Sequence, residues 1–251
     1  MLTTAASKEI GMYMGSGITR SAVFIAALLV GGVASAAGAV ATEFPAASEI
    51  KPPANMPAEA KAIWDKQRAN ASKVTPRALD SSPATNLASI PVIERSFKPM
   101  RERVEQLAKT RGSLPEHLHT PWVIPSDVSK SPLGRCTLGQ ATPMGVEVDG
   151  KLTGQIRVFD CSRIGPVILT EDMLNKGGML SLASADDVNA KLLVGGIERG
   201  VIASRLVRSE DKEEMTMVRW RSGDKSVTLR VSGTQAHSLE FVQETLNNIA
   251  D

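Results

Sequence analysis

The chain of 251 residues carries 29 Lys and Arg against 27 Asp and Glu, and only 4% of its residues are aromatic. The charge is balanced, and no basic stripe lies beside aromatic residues. The sequence therefore lacks the usual signature of a nucleic-acid-binding protein. The scarcity of aromatic residues also argues against a sugar-stacking platform. The length fits one domain or two small ones.

Residues 21–42 form an uncharged run that follows Arg20. A basic residue, an apolar stretch and then small residues are the three parts of a secretory signal. At about 1.5 Å per residue, the run is also long enough to cross the roughly 30 Å hydrocarbon core as an uncleaved anchor, with membrane contact through 21–42. Residues 1–41 are therefore predicted to be a signal peptide or a single N-terminal membrane anchor. Either way, the basic flank keeps the N-terminus cytoplasmic and places the rest outside the cytoplasm, in the periplasm or secreted.

A tether and a helix are predicted next. Residues 42–90 are rich in Pro, Ala and Ser and predict a linker with one possible short helix. Residues 91–115 predict an amphipathic helix, because apolar residues repeat at intervals of three and four. Pro99 predicts a kink or the real start of this helix, whereas Gly112 and Pro115 predict its end. We expect the apolar stripe to pack on its own domain, with partner binding as the alternative.

Residues 116–251 predict a disulfide-containing α+β domain that begins with a hairpin. Asp149-Gly150 supplies the positive dihedral angles that a tight turn between two extended runs requires. Cys136 precedes this hairpin and Cys161 follows it, and two cysteines in an exported protein are typical of a disulfide. A metal pair and a catalytic thiol are the alternatives for these two residues.

The stretch after the hairpin predicts one short strand and two short helices. The strand covers residues 167–169, and the helices cover residues 171–176 and residues near 185–194, with Thr170 and Ser184 as their caps. Each helix would begin with a pair of acidic residues, which we interpret as favourable negative charge at a helix N-terminus. These pairs are Glu171 with Asp172 and Asp186 with Asp187.

The last fifty residues predict an antiparallel meander and a helix. Strands are predicted over residues 201–208, 215–221 and 226–232, and the strict alternation of the third indicates one buried face. A helix over residues 239–250, capped by Ser238, carries an apolar stripe. The predicted fold class is therefore α+β, an antiparallel β-sheet with a C-terminal helix packed on one face.

The tail from Val218-Arg219-Trp220 to Ile249 resembles the closing strands and helix of periplasmic lipoprotein-carrier-like and anti-sigma-regulator-like domains. Those domains often end with a strand bearing a Trp, a tight turn, an alternating strand and an amphipathic helix. The resemblance covers about 35 of the 251 residues and includes no chemical motif. The resemblance implies that the chain ends in a unit of strands and one helix, and it implies nothing about function.

His117 and His119 are the candidate metal ligands. They place two imidazoles on one side of an extended segment, which predicts the start of a zinc site with a third ligand from elsewhere. Two solvent-exposed histidines in a Pro-bounded loop are the alternative. The sequence contains no motif typical of a catalytic nucleophile or a phosphate-binding loop. It therefore predicts no catalytic residue and no cofactor.

These observations favour a non-enzymatic binding or assembly module of the cell envelope, with an envelope protein as partner and no nucleic acid. The partner would bind the helix within 91–115 or an open sheet edge. Two alternatives remain open. One is a small exported metal-dependent hydrolase that uses His117 and His119, and the other is a carrier of an apolar ligand enclosed by the C-terminal sheet and helix.

Overall fold

A computed structural model describes residues 83–176 and 187–250 of this chain. The predicted signal or anchor segment and most of the predicted linker lie outside these residues. The end of that linker prediction (42–90) is wrong, because Leu87 and Ile90 are buried in the hydrophobic core and belong to the domain. None of the helices within the described ranges combines the length and the hydropathy that crossing a membrane requires. The elements are β1 (Val92–Glu94), α1 (Met100–Ser113), β2 (Thr137–Val148), β3 (Lys151–Cys161), β4 (Gly165–Met173), β5 (Ala190–Val194), β6 (Ile197–Val207), β7 (Glu214–Ser222), β8 (Lys225–Ser232) and α2 (Ala236–Asn248).

The strands form one eight-stranded sheet in the order β1-β6-β7-β8-β4-β3-β2, with β5 also paired to β6. The β1–β6 pair is parallel, and the other pairs are antiparallel. Together with α2, this sheet confirms the predicted antiparallel sheet with a C-terminal helix. The predicted hairpin is confirmed as β2 and β3, which are joined by Asp149 and Gly150 with φ angles of 49° and 73°.

The main core lies between the sheet and α2. Val227, Leu229 and Val231 are at most 1% exposed, which confirms the predicted alternation of β8, and Trp220 on the neighbouring strand is fully buried. Burial of each large apolar side chain stabilises the fold by about 1.5–3 kcal/mol. The predicted stripe of α2 packs against these residues and consists of Leu239, Val242, Leu246 and Ile249.

The helix α2 begins earlier than predicted. Its first residue is Ala236, and Ser238 lies inside the first turn instead of capping it. The Ser238 hydroxyl donates a hydrogen bond to the carbonyl of Ser232 at the end of β8, at 3.0 Å. The serine therefore ties the helix to the strand before it, and it is not available as a cap.

The other face of the sheet, which the sequence predicted to be exposed, is partly covered by α1. Met100 is 1% exposed and packs with Phe97 against Ile168 of β4 and Met215 of β7. Val104 and Leu107, further along α1, pack against the same cluster. The expectation that this helix packs on its own domain is confirmed.

The predicted helix over 91–115 is wrong in its first part. Residues 92–94 form β1, which pairs in parallel with residues 205–207 of β6. The helix begins only after Pro99, because a proline ring fixes φ and removes the N–H donor that a helix interior requires. The β-branched Val92 and Ile93 also favour an extended backbone.

Of the two short helices predicted over residues 171–176 and near 185–194, the first is confirmed only as a 3-10 helix over Leu174–Lys176, and the second is wrong from Ala190 onward. Residues 171–173 continue β4, because β3 offers hydrogen-bond partners as far as Asp172 and β8 as far as Met173. Residues 190–194 form β5, in which buried and exposed side chains alternate. Of the second acidic pair, Asp186 lies outside the described residues and Asp187 precedes a strand. Long-range pairing overrides the local capping signals at both places.

The two end strands of the sheet, β1 and β2, are poor templates for an added strand. β2 contains Pro143 and two register shifts, one between Leu138 and Gln140 and one between Met144 and Glu147. β1, on the opposite edge, is three residues long. Prolines, bulges and short edge strands are the features by which proteins suppress edge-to-edge pairing. An added partner strand is therefore disfavoured at β1 and at β2, and binding at a sheet edge stays a prediction.

Replacing Leu246 with alanine tests the packing of α2 on the sheet. Leu246 is fully buried, so Leu246→Ala should lower the free energy of unfolding by about 2–5 kcal/mol, as measured by urea denaturation. Leu193→Ala is the matched control, because Leu193 is 48% exposed and the change should cost less than about 0.5 kcal/mol. Equal losses in the two variants would contradict this packing.

Candidate functional site: a cleft beside the disulfide

Cys136 and Cys161 form a disulfide, with Cα atoms 4.7 Å apart. Cys136 lies immediately before β2 and Cys161 ends β3, so the bridge closes the base of the hairpin as predicted. The bond excludes the two alternatives for these residues, a metal pair and a catalytic thiol, because the chain has no free cysteine. A disulfide is typical of an oxidising compartment and thus supports an extracytoplasmic location.

An open cleft with a volume of about 380 Å³ lies along this disulfide. Its walls are a short 3-10 helix (Pro132–Arg135), the turn at residues 162–164 between β3 and β4, and one side of α2. Residues spaced three and four apart on a helix share one face, which explains how α2 contributes four side chains. These are His237, Glu240, Phe241 and Glu244.

The cleft has an apolar floor and a charged rim. Ile164 and Phe241 are half-buried and pack against the main core. On the rim, Arg135 Nη2 lies 3.8 Å from Glu244 Oε1, and the two side chains are 76% and 51% exposed. An ion pair this exposed contributes only about 0–1 kcal/mol, so either group can exchange its partner at little cost. Arg163 adds an exposed cation from the β3–β4 turn.

The 3-10 helix that walls the cleft is held in place by short-range contacts. Ser131 caps it, since its Oγ accepts a hydrogen bond from the backbone N–H of Leu133 at 3.2 Å. Gly134 is required here, because a Cβ at this position would lie 2.3 Å from the carbonyl oxygen of Ser129. The helix is therefore fixed relative to the loop that precedes it.

The same loop is joined to the end of α2. Asp127 and Ala250 exchange two backbone hydrogen bonds, of 2.7 Å and 2.9 Å. The backbone N–H of Ser129 donates to Asp127 Oδ1 at 2.8 Å, and this bond lowers the pKa of the Asp127 carboxyl. The loop that leads into the 3-10 helix is thus tied to the end of α2.

A buried ion pair fixes the start of this loop on the sheet. Arg157 Nη2 lies 2.8 Å from Glu171 Oε2, and the Glu171 side chain is fully buried. Arg157 Nη2 also donates to the carbonyl of Ser126 at 2.8 Å. In return, Ser126 donates from its backbone N–H and from its hydroxyl to Glu171 Oε1, at 2.8 Å and 2.7 Å. Each charged group thus holds the loop through a hydrogen bond.

Lys225 completes this group, which we call the Glu171 cluster (Ser126, Arg157, Glu171 and Lys225). Lys225 Nζ donates to Ser126 Oγ at 2.9 Å and lies 3.9 Å from Glu171 Oε1. A serine hydroxyl in contact with a lysine amine is one arrangement that can activate a nucleophile. Ser126, however, is only 1% exposed, and its hydroxyl donates to Glu171. We therefore infer that the role of the Glu171 cluster is to position the loop that begins at Ser126.

The sequence interpretation missed the Glu171 cluster. Glu171 and Asp172 were expected at a helix N-terminus, but both lie in β4 and are at most 4% exposed. Extending the strand pattern through residue 173 would have placed Glu171 on the same face as the core residues Val167 and Leu169. A buried carboxylate needs a cation beside it. That requirement would have identified Arg157 on the adjacent strand β3 as the partner of Glu171.

His117 and His119 lie outside the cleft. His117 belongs to a 3-10 helix (Glu116–Leu118), and not to the predicted extended segment, since Pro115 begins a turn there. His119 Nε2 lies 3.2 Å from the carbonyl oxygen of Leu114. Residues 83–176 and 187–250 contain no group of three or more His, Cys, Asp or Glu side chains placed to hold a metal ion. The zinc site stays a prediction that would need a third ligand.

Replacing Glu171 with glutamine tests the buried ion pair. Glu171→Gln leaves Arg157 and Lys225 without their counter-charge, so the free energy of unfolding should fall by about 3–5 kcal/mol in urea denaturation. The control is Glu105→Gln, because Glu105 forms an exposed pair with Arg101 and its loss should cost less than about 0.5 kcal/mol. A Glu171→Gln variant as stable as the control would show that the cluster does not hold the loop.

Removing the disulfide tests its contribution to stability. The two cysteines are 25 residues apart in sequence, and closing a loop of that length restricts the unfolded chain by about 3 kcal/mol. We expect Cys136→Ala/Cys161→Ala to unfold at a lower urea concentration and to keep the circular dichroism spectrum of the native protein. Reduced wild-type protein should match the double variant, and an unchanged midpoint in both would contradict the prediction.

Comparison of this chain with protein-family models, curated proteins and solved structures found no match. The functional assignment therefore depends on the geometry of the cleft and on the chemistry of its walls. Those walls combine a disulfide, an apolar floor and a rim that carries both signs of charge.

Proposed function

We propose that this protein is an extracytoplasmic, non-enzymatic binding module that holds a peptide segment of an envelope protein in the cleft beside Cys136–Cys161. The observation that carries this proposal is the combination of an apolar floor with an exposed, weakly held ion pair. Binding sites for protein partners have an apolar centre and a polar rim. Phe241 and Ile164 supply the centre, and Arg135 and Glu244 supply the rim.

The shape and charge of the cleft support a peptide over a small molecule. The cleft is open to solvent, and its volume of about 380 Å³ is near the lower end of the range typical of small-molecule sites. One or two side chains of a bound segment would fill it, and the rest of that segment would lie along α2. Because the rim carries both cations and anions, it favours a segment that carries both as well.

The chemistry of the described residues supports binding over catalysis. The hydroxyl of Ser126 is buried and both cysteines are bonded to each other. The hydrolase hypothesis needs a third ligand beside His117 and His119. The carrier hypothesis needs a cavity between the sheet and α2, where Val242 and Leu246 are fully buried in the packed core. We retain both as weaker proposals.

The proposed location combines the disulfide with the export segment. A disulfide that closes a hairpin persists in oxidising compartments, which supports a periplasmic or secreted domain. The two alternatives for residues 21–42, cleavage as a signal peptide and retention as a membrane anchor, both stay predictions. If residues 21–42 are an anchor, a tether between them and the domain, which includes residues 84–90, would allow the domain to reach a partner at a distance from the membrane.

Site-specific photocrosslinking in cells that express the full chain tests the binding proposal. A crosslinking residue in place of Arg163, at the cleft, should give one discrete adduct with an envelope protein. The same residue in place of Ile124, which is 81% exposed, is the control and should give none. Equal adducts at both positions would contradict the proposal, because contact at both would reflect exposure alone.

Reversing the rim charges separates partner binding from stability. The single change Arg135→Glu should abolish the adduct at position 163. The exchange Arg135→Glu/Glu244→Arg keeps an internal ion pair but presents the partner with the reversed charge pattern, so it should keep the unfolding midpoint and still lose the adduct. Full recovery of the adduct in the exchanged variant would mean that the pair serves the fold only.

A further inference from the structure

The chain joins the domain next to the face of the sheet that carries the cleft. The backbone of Ala84 pairs with the start of β5: its N–H donates to the carbonyl of Asn189 at 2.9 Å, and its carbonyl accepts from the N–H of Lys191 at 2.8 Å. Leu87, three residues later, is 3% exposed and belongs to the core between the sheet and α2. The residues before 83 therefore lead to the α2 side of the sheet, where the cleft is.

Residues 43–82, which we call the tether, contain one segment whose composition matches the cleft. Trp64 is the only Trp outside the described residues, and Ile63 before it is also large and apolar. Charges of both signs follow at once, at Asp65 and Lys66. An apolar anchor flanked by both signs of charge is the counterpart of an apolar floor inside a rim of both signs.

The other parts of the tether match the cleft less well. Phe44 is the second aromatic residue of the tether, and its charged neighbours within six positions are both acidic, Glu43 and Glu49. Such neighbours would lie beside the two glutamates of the rim as well as its arginines. Residues 71–82 contain no aromatic residue. The segment around Trp64 is therefore the part of the tether that the cleft fits best.

A tryptophan suits this cleft because both its floor and its rim attract an aromatic ring. Phe241 on the floor is half-buried, and aromatic rings in edge-to-face or offset contact gain more than burial alone supplies. The guanidinium of Arg135 on the rim can lie over a face of the indole, where the ring quadrupole attracts a cation. Tryptophan is accordingly enriched among the residues that dominate binding at interfaces.

The segment can reach the cleft from the point where the tether joins the domain. Trp64 precedes Ala84 by twenty residues, and a chain of that length can span up to about 70 Å. A domain of about 170 residues has a radius of gyration of about 15 Å, so this span covers any point on its surface. The length of the tether therefore permits docking in the cleft of the same molecule.

We propose that residues 57–70 bind in the cleft of their own chain, with Trp64 against Phe241, and thereby compete with the partner peptide. This inference rests on the proposed function, because competition requires a partner that uses the same cleft. A tethered segment is present at an effective concentration on the order of millimolar, so a weak intrinsic affinity keeps the cleft filled. The apparent affinity for the partner is reduced in proportion to the fraction of molecules whose cleft is open.

Photocrosslinking within the purified exported chain tests the docking. A crosslinking residue in place of Arg163 should join to the tryptic peptide of residues 62–66, which contains Trp64, and mass spectrometry identifies the product. The same residue in place of Ile124, which is 81% exposed, is the control and should not join to this peptide. Trp64→Ala should reduce the crosslink about tenfold, the effect of losing a residue that dominates binding. Phe44→Ala, the matched change in the same tether, should leave it unchanged.

The partner adduct in cells separates this inference from the proposed function. Trp64→Ala should raise the adduct at position 163 several-fold, because the tether no longer fills the cleft. If no intrachain crosslink forms and the adducts of wild type and Trp64→Ala are equal, the docking is overturned and the proposed function stands. An intrachain crosslink without a partner adduct in either form would support the docking and overturn both the competition and the proposed function. A crosslink between two chains would place the tether on a second copy and overturn the intramolecular proposal.

Discussion

The carboxylate of Glu171 is fully buried in β4, where it binds the guanidinium of Arg157 and lies near the amine of Lys225. A charge in this position is tolerated only when cations and hydrogen-bond donors replace the water that it loses on folding. Ser126 supplies two of these donors from outside the sheet. The loop that begins at Ser126 therefore closes over the sheet, because the carboxylate would otherwise lose partners that it needs.

The candidate cleft follows from this constraint. From Ser126 the loop runs past Asp127, which pairs with Ala250 at the end of α2, to Cys136 at the disulfide. One wall of the cleft is thus held by a buried charge, by backbone hydrogen bonds and by a covalent bond. The rim, by contrast, carries an exposed ion pair that contributes little to stability. A rigid cleft whose rim charges can change partners is suited to recognition, because little conformational entropy of the protein is lost on binding.

The sheet separates two surfaces of different chemistry. On the α2 side, the apolar core reaches the surface at Phe241 and Ile164. On the α1 side, burial and the neighbouring cations of Arg103 and Arg219 lower the pKa of Arg230.

The parts of the fold that depend on neighbouring residues were predictable. The Asp149-Gly150 turn requires positive dihedral angles at both residues, and the alternation of Val227, Leu229 and Val231 identifies a strand without knowledge of its neighbours. The disulfide was predictable as well, because its cysteines flank a hairpin that local signals define. The end of β4 was not, since Thr170 and the acids after it form a good helix cap as long as no partner strand is considered.

The sequence by itself determined the hairpin and its disulfide, the closing strands with their apolar alternation, and the stripe of α2. Each of these is set by dihedral preferences or by a periodicity of two or 3.6 residues, and such signals act within a few positions. Only the tertiary structure decided that Glu171 meets Arg157 and Ser126, and that Arg103 approaches Arg230. These contacts join residues far apart in the chain, and they exist because sheet pairing and helix packing bring distant charges to one place.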